Sequence, residues 1–459
     1  MNTLLPLIMH SDLQSPVAYR GDRVIRVTDF LADVVQLTAL LPAASHILNV
    51  CSDRYRFCVG LAAAMCAGKI SLLPSTHTPE AVRQLCEFAP DVFCLTDFDA
   101  GINLPTLNYP ADVASANAHK IIADQIIPAF SATQLVAYVF TSGSTGTPVA
   151  HPKTWGALVG SVRAEATRFG MLDGRRYTLV GTVPAQHMYG FESTVLLALQ
   201  SGAAFWAGKP FFAADIAAAL NAVPAPRLLV STPFHLRAVI DTDVEFPPIE
   251  KVISATAPLT QALASEIEIF CAAPLLEIYG STESGQIASR RSVHETQWQL
   301  LDGFALDQRG ETTYARSANF GVDAAFSDGV ALGDIIEKTD TNQFVLHGRR
   351  GDLINIAGKR TALGFLNHQL LSISGVRDGV FFLPLSDSGE DVTRLVAFVV
   401  APDLSIAEIT QALRERVDPL FLPRPLYLVE KLPRNAAGKL PNKELLGLLA
   451  QLREQRQEK

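Results

Sequence analysis

Short β-branched runs alternate with longer amphipathic stretches along most of this chain, and nothing else in the sequence restricts the fold as much. Residues 47–50 read as a strand, 55–67 as a helix and 70–74 as the next strand. The rhythm returns with strands expected at 177–183, 203–206, 227–231 and 251–254, and the breaks Val223-Pro224-Ala225-Pro226 and Pro247-Pro248 punctuate it. Strand–helix–strand units of this kind build βαβ-type, largely parallel sheets sandwiched with helices. Short strands such as 311–315 and 343–346 dominate 300–347, as in a small antiparallel unit. After Gly351 the texture restarts, with helices at 363–372 and 406–417, strands at 379–383, 394–401 and 425–429, and an amphipathic tail helix from Leu445. The expected class is α/β, with a large N-terminal domain over 1–350 and a small α+β C-terminal domain over 351–459. A chain of 459 residues exceeds what one ordinary core serves.

The apolar run 135–140 leads into Thr141-Ser142-Gly143-Ser144-Thr145-Gly146-Thr147-Pro148, where five of eight side chains carry hydroxyls and two residues are glycine. Amides freed by glycine, together with hydroxyls, can crowd around one anion. The Gly-Lys-Ser/Thr ending of a Walker A loop is missing. On its own the segment reads equally well as a phosphate cradle or a Ser/Gly linker.

Composition excludes several classes. Hydrophobic residues at 48% and charged ones at 18% fit a well-packed globular protein. A net charge of −8 argues against a dedicated nucleic-acid binder. The most apolar run, 57–68, stops at Lys69 and is too short for a membrane span. The start Met1-Asn2-Thr3-Leu4-Leu5-Pro6 lacks a basic n-region, so no secretory leader is expected. Six cysteines without Cys-x-x-Cys spacing fit reduced core residues of a cytoplasmic protein.

Downstream of the hydroxyl-rich loop stand Tyr279-Gly280-Ser281-Thr282-Glu283, Leu332-Gly333-Asp334, Gly348-Arg349-Arg350-Gly351-Asp352 and Pro433-Arg434-Asn435-Ala436-Ala437-Gly438-Lys439. This ordered set resembles the adenylate-forming enzymes: acyl- and aryl-CoA synthetases, peptide-synthetase adenylation domains and luciferases. The resemblance covers nearly the whole chain. It implies ATP and Mg2+ as cofactors, attack of a carboxylate on the α-phosphate, loss of pyrophosphate, and passage of the acyl-adenylate to a thiol. Such a site must hold two anions together, neutralise developing charge and present the adenosine reproducibly.

By that resemblance Thr141, Ser142, Gly143, Ser144, Thr145 and Gly146 would grip the β- and γ-phosphates. Glu283 would hold Mg2+, a hard cation suited to carboxylate and phosphate oxygens, the plain alternative being a charge at a helix N-terminus. Tyr279 would pack on adenine, Thr256 and Ala257 would border it through their backbone, and Thr282 would bond near the α-phosphate. Asp334 would accept from the ribose hydroxyls, with Arg349 at ribose or phosphate. Lys439, otherwise a solvated surface lysine, would bridge the α-phosphate and the substrate carboxylate, carried in and out by domain motion. Gly351 would be the hinge of a mobile C-terminal lid.

There are departures from the family pattern. Val149-Ala150 stands where Lys-Gly is usual, leaving Lys153 to supply the charge and His151 as a weaker substitute. The stretch that often reads Gly-Gly-Ala-Pro-Leu is Ala255-Thr256-Ala257-Pro258-Leu259, and Asn355 replaces a common lysine.

Pro184-Ala185-Gln186-His187-Met188-Tyr189-Gly190 resembles the acid-pocket stretch of fatty- and aryl-acid ligases. His187 would stand at the carboxylate end as gate or partner; a structural histidine is the plain reading. Tyr189 takes the place of the aspartate with which amino-acid-activating relatives bind the α-amino group, so an aryl or fatty acid is expected. Val183, Phe191, Phe234, Ser254 and Tyr279 would line the pocket, with the serine and tyrosine able to serve a ring hydroxyl. The loop 148–155 resembles that of the ligases of xanthomonadin and aryl-polyene pathways, which load a hydroxybenzoate or related acid onto an acyl carrier protein. That acceptor is the first expectation and free CoA the second, with Arg350, Lys359, Arg360, Arg394 and Arg424 as a basic face for an acidic carrier. A ligase that hands its adenylate to an amine and a catalytically idle ATP-binding relative are further alternatives.

Overall fold

The computed structural model describes residues 3–110, 127–142, 148–317, 328–356, 359–384, 394–435 and 438–457. Among these residues the N-terminal part holds two large sheets. The six-stranded one runs Pro148–Thr154, Leu135–Ser142, Ile70–Leu73, His46–Asn49, Phe93–Thr96, Thr106–Asn108 from edge to edge. All its pairings are parallel except that of Pro148–Thr154 with Leu135–Ser142. Thr141 and Ser142, the first residues of the hydroxyl-rich stretch, therefore lie inside the strand opposite Val149 and Pro148. Residues 143–147, which include the expected phosphate contacts Gly143, Ser144, Thr145 and Gly146, lie outside the described set.

The second sheet has eleven strands among the described residues. Its centre is parallel: Ala204–Trp206, Thr178–Gly181, Arg227–Ser231, Lys251–Ser254 and Leu275–Ser281 lie side by side. Register pairs Ser231 with Ser254 and Ser254 with Glu277, so the carboxyl ends of these strands share one edge. Open α/β sheets bind ligands at such an edge. Beyond Leu275–Ser281 the pairing turns antiparallel, through Gly285–Arg290 and Trp298–Leu300 to Gln343–Arg349 and Asp334–Lys338.

Helices fill the space between the sheets. Arg54–Cys66 is capped by Asp53, whose carboxylate accepts from the Arg56 amide at 3.0 Å. It is buried on nearly every side, because its residues share one apolar core with strands of both sheets. At Gly60 a Cβ would stand 2.4 Å from Asn49 Nδ2, so only glycine lets helix and strand approach this closely. Phe57, its ring edge-on to Phe191, is fully buried, and burial of each such ring contributes about 1.5–3 kcal/mol.

A three-stranded antiparallel sheet, Phe304–Arg309, Thr312–Ser317 and Val330–Ala331, follows as expected. The C-terminal residues pair Leu353–Ile356 with Lys359–Ala362 and then form the sheet Asp378–Phe382, Val396–Val400, Leu426–Leu428. Helices Leu363–Leu371 and Ile406–Arg414 close a separate apolar core around Leu366, Ala397 and Ile409. The last helix, Asn442–Gln457, starts three residues before the expected one. Cys66 is exposed and Cys86 part-buried, so the core reading of the cysteines holds for the other four, Cys51, Cys58, Cys94 and Cys271. Among the described residues no helix is long and apolar enough to cross a membrane.

Candidate active site

Four features converge on the carboxyl edge of the second sheet. The first is the turn 282–284, between strands Leu275–Ser281 and Gly285–Arg290, which carries Thr282 and Glu283. Glu283 is thus on a hairpin turn, and the helix N-terminus that its sequence context also allowed is absent here. Its carboxylate is half-buried; burial alone would raise its pKa, but its own amide, the Ser281 hydroxyl, His151 and Lys153 more than offset this and hold it below the usual range. His151 Nε2 stands 3.9 Å from Glu283 Oε1 and 2.9 Å from the Thr141 hydroxyl, so the hairpin and the carboxylate face each other. Burial holds the His151 pKa down, against the pull of Glu283. Lys153, expected to face the phosphates, is only 6% exposed, and its Nζ donates to the Glu283 carbonyl oxygen at 2.8 Å. Ser142 lies on the same strand as Thr141, but its side chain is not described.

The second is a buried carboxylate, that of Asp334. Asp334 opens the strand Asp334–Lys338, is buried, and accepts from the Tyr279 hydroxyl at 2.6 Å. The Tyr279 ring packs between Trp298 and Phe344, each 5.5 Å away, and its hydroxyl is engaged by Asp334. Asp334 pairs across the sheet with Arg349, whose side chain is not described.

The third is the loop after Lys251–Ser254. Thr256 has φ +81, an outlier for a β-branched residue, and its hydroxyl has no partner among the described residues. This is one of the places where the family pattern has glycine, so the backbone shape survives a residue that strains it; such strain collects at functional sites. Glu277 steadies the loop that also carries Ala257: it accepts from the Leu259 amide at 3.3 Å, from Arg290 at 2.8 Å and from Ser292 at 2.7 Å.

The fourth is the set of residues expected to line the acid pocket. Thr182 and Ser231 share a hydrogen bond at 3.0 Å, and Ser254 is fully buried with a hydroxyl that has no partner among the described residues. Tyr189 Oη lies 3.1 Å from the carbonyls of both Ser231 and Ile253, and burial keeps the phenol protonated. It offers no negative charge for an ammonium. Phe191 is fully buried against Phe57 in the core, whereas Phe234 is exposed at the start of helix Pro233–Ile240. Val183 is buried; its carbonyl and those of Gly181, Trp206 and Gly208 all accept from the buried Arg54 guanidinium at 2.8–2.9 Å. Sequence reasoning missed this clamp, because nothing at Arg54 itself signals burial.

His187 ends the loop before the short helix Met188–Gly190, with Nδ1 lacking a partner among the described residues. Burial pushes its pKa down to about 4, and the Lys439 ammonium pushes the same way. The Lys439 turn itself is braced by Arg434, which makes two bonds to Asp378 at 2.6–2.8 Å and one to the Gly438 carbonyl at 2.7 Å. At Gly438 (φ +75) a Cβ would stand 3.7 Å from Phe234 and 3.8 Å from the Thr232 hydroxyl, so this turn lies against the acid pocket. Gly351 lies in the turn Arg350–Asp352, exposed and with open space around it.

A family model described as AMP-binding enzyme matches residues 36–307. The chain belongs to that family. It is 32% identical over 281 residues to a 4-coumarate–CoA ligase of Rhodobacter capsulatus, and the match covers 61% of this chain and 66%, just under two thirds, of the relative. It is 28% identical over 358 residues to a 4-chlorobenzoate–CoA ligase of an Arthrobacter species, covering 69% of this chain and 67% of that one. An O-succinylbenzoate coenzyme A synthetase of Bacillus subtilis, solved with ATP and magnesium ion, shares the fold with a TM-score of 0.74 at 16% identity, over 94% of this chain and 97% of that chain. The superfamily and the α/β class expected from sequence are those found.

Among the described residues no cluster of three or more metal-ligating side chains occurs. Mg2+ does not require one, since it usually takes one or two carboxylates and completes its shell with phosphate and water. Glu283, ionised and half-buried opposite Thr141, fits that donor set.

Proposed function

We propose that this protein uses ATP to activate an aromatic carboxylic acid as its acyl-adenylate and then transfers the acyl group to a thiol. The observation that carries the reading is the seating of the Gly438–Lys439 turn against Thr232 and Phe234. On this reading Lys439, the acid pocket, Asp334 as ribose acceptor and the Glu283 carboxylate serve one site.

In the first half-reaction a carboxylate oxygen attacks the α-phosphorus, the bond to the bridging oxygen breaks, and pyrophosphate leaves with the electron pair. Thr141 and the hydroxyl-rich hairpin orient the departing phosphates, Thr282 borders the α-phosphate, and Asp334 fixes the ribose with Arg349 beside it. Mg2+ held by Glu283 would supply charge neutralisation on the phosphate oxygens. Lys439 stabilises the charge that grows on the α-phosphate, a contact made only in the transition state. In the second half-reaction the thiol sulfur attacks the acyl carbon, its proton passes to solvent, and AMP leaves. We propose that residues from Gly351 onward move as a lid between the two steps.

The acid is proposed to be aryl. Tyr189 supplies no carboxylate for an α-ammonium, and the buried Ser254 hydroxyl suits a ring substituent such as a hydroxyl. CoA is the acceptor that the relatives' names support; an acyl carrier protein is the second reading, raised by the variant loop 148–155. ATP–pyrophosphate exchange over a panel of aryl and fatty acids tests the first half-reaction. Mass spectrometry of the product with CoA, and with a carrier protein, decides the second. Absence of exchange with every acid would refute the proposal and leave an idle ATP-binding relative.

A further inference from the structure

We infer that Lys153 is a positioning residue: with Glu192 as its buried counter-charge, it fixes the main chain of the turn that carries the Glu283 carboxylate, and it does not contact phosphate. The inference rests on the adenylation reading above and deepens it. Lys153 projects inward from strand Pro148–Thr154 and donates to the Glu283 carbonyl at 2.8 Å. The turn 282–284 is otherwise closed on itself, by bonds of 3.1–3.2 Å between the Ser281 and Ser284 hydroxyls and each other's amides. A turn bonded only to itself can pivot as a unit; a bond from a neighbouring strand removes that freedom.

A buried ammonium needs a partner charge. Glu192 lines the same cavity as Lys153, and its charge acts on the ammonium: the residue is 3% exposed and is the second residue of the π-helical segment Phe191–Leu196, a geometry frequent at functional sites. Burial pushes its pKa up, and Lys153, the Gln286 main chain and Ser161 oppose that shift. At Gly285, which has φ +69, a Cβ would stand 2.7 Å from Glu192 Oε1. The carboxylate therefore lies directly on the residue that ends the turn. Lys153 holds Glu283 in the turn, and Glu192 packs on Gly285 just beyond it. A cavity of about 30 Å³ bounded by Lys153, Ser161, Met188, Glu192, Glu283 and Ser284 has room for a bridging water. Two buried opposite charges seldom add net stability over apolar residues of similar size. The geometry they impose on Glu283 is the gain that this arrangement offers.

The test compares Lys153→Met with Lys153→Met/Glu192→Gln, by thermal unfolding and by calorimetric titration of ATP with and without Mg2+. The single variant strands Glu192 and should unfold at lower temperature; the double variant should recover most of that loss. Both should lose about ten-fold or more of the affinity that Mg2+ adds to ATP binding, the usual effect of removing a residue that orients a metal ligand. Affinity for ATP without Mg2+ should not change. A double variant that regains thermal stability and the full Mg2+ effect together would make the pair purely structural and overturn the inference. If the single variant does not fold, the double variant decides alone. Wild-type protein that binds no ATP and exchanges no pyrophosphate would instead remove the adenylation reading, and this inference with it.

Discussion

Arg54 offers the sharpest test of how the acid pocket is held. Its guanidinium is 2% exposed and donates to four main-chain carbonyls, Trp206 and Gly208 through Nη1 and Gly181 and Val183 through Nη2, all at 2.8–2.9 Å. Two of these carbonyls lie where strand Thr178–Gly181 passes into the His187 loop, and two where Ala204–Trp206 passes toward Phe211 and Phe212. Hydrogen bonds to a charged group contribute about 1.5–3 kcal/mol each, but four on one cation are not additive. Breaking a buried charged cluster from one side costs about 3–5 kcal/mol. We expect Arg54→Met to lose that much unfolding free energy, a large share of a domain's typical total of about 5–15 kcal/mol. Arg54→Lys should recover roughly half, since an ammonium has three donors for four acceptors. Urea unfolding gives the stability, and pyrophosphate exchange gives the KM for the acid, which should rise while that for ATP stays. A methionine variant that loses less than about 1 kcal/mol would show that the carbonyls find other partners and that the clamp is incidental.

Lys439→Ala should lower adenylation by about 10²–10³-fold, as pyrophosphate exchange reads it, while thioester formation from a preformed adenylate falls much less; equal loss in both steps would refute its role. Gly351→Pro should spare exchange and block thioester release, because proline fixes φ and removes an amide at the proposed pivot; a variant active in both steps would place the hinge elsewhere. Burial holds His10 and His235 down to about 4. The unfolded chain then binds more protons than the folded one between pH 6.5 and 4, so their stabilising effect is complete above 6.5 and is lost as pH falls toward 4. At pH 5 the cost is about 2 kcal/mol per histidine; unfolding curves at pH 7 and 5 should show it, His10→Gln should remove its share, and equal stability at both pH values would contradict it.

The sequence exposed residue types and order better than contacts. Asp334 and Tyr279 were both legible as candidate nucleotide contacts from short motifs, yet their mutual bond spans 55 positions and no local pattern announces it. Strand positions came through well because β-branched runs are local signals, as at Arg227–Ser231 and Lys251–Ser254, which match the expected ranges. The antiparallel pairing of Thr141 and Ser142 with Val149 and Pro148 did not, since a strand partner across a turn leaves no local signal. Lys153 looked like a substitute for a missing loop lysine because charge is legible in sequence and direction is not. Alternation on a strand would have helped only if the hairpin had been known. Thr256 is the converse case: its positive φ was foreshadowed by the glycine common at that place in relatives.

The bond between Tyr279 and Asp334 bears on which sugars the cleft admits. One carboxylate oxygen is engaged by the phenol at 2.6 Å, so the acid keeps its aim whatever arrives. On the role proposed for Asp334, a 2′-deoxynucleotide forfeits one hydrogen bond but does not leave the carboxylate adrift. Such an analogue would enter as an impaired guest, its penalty close to one ordinary charged hydrogen bond, about 1.5–3 kcal/mol.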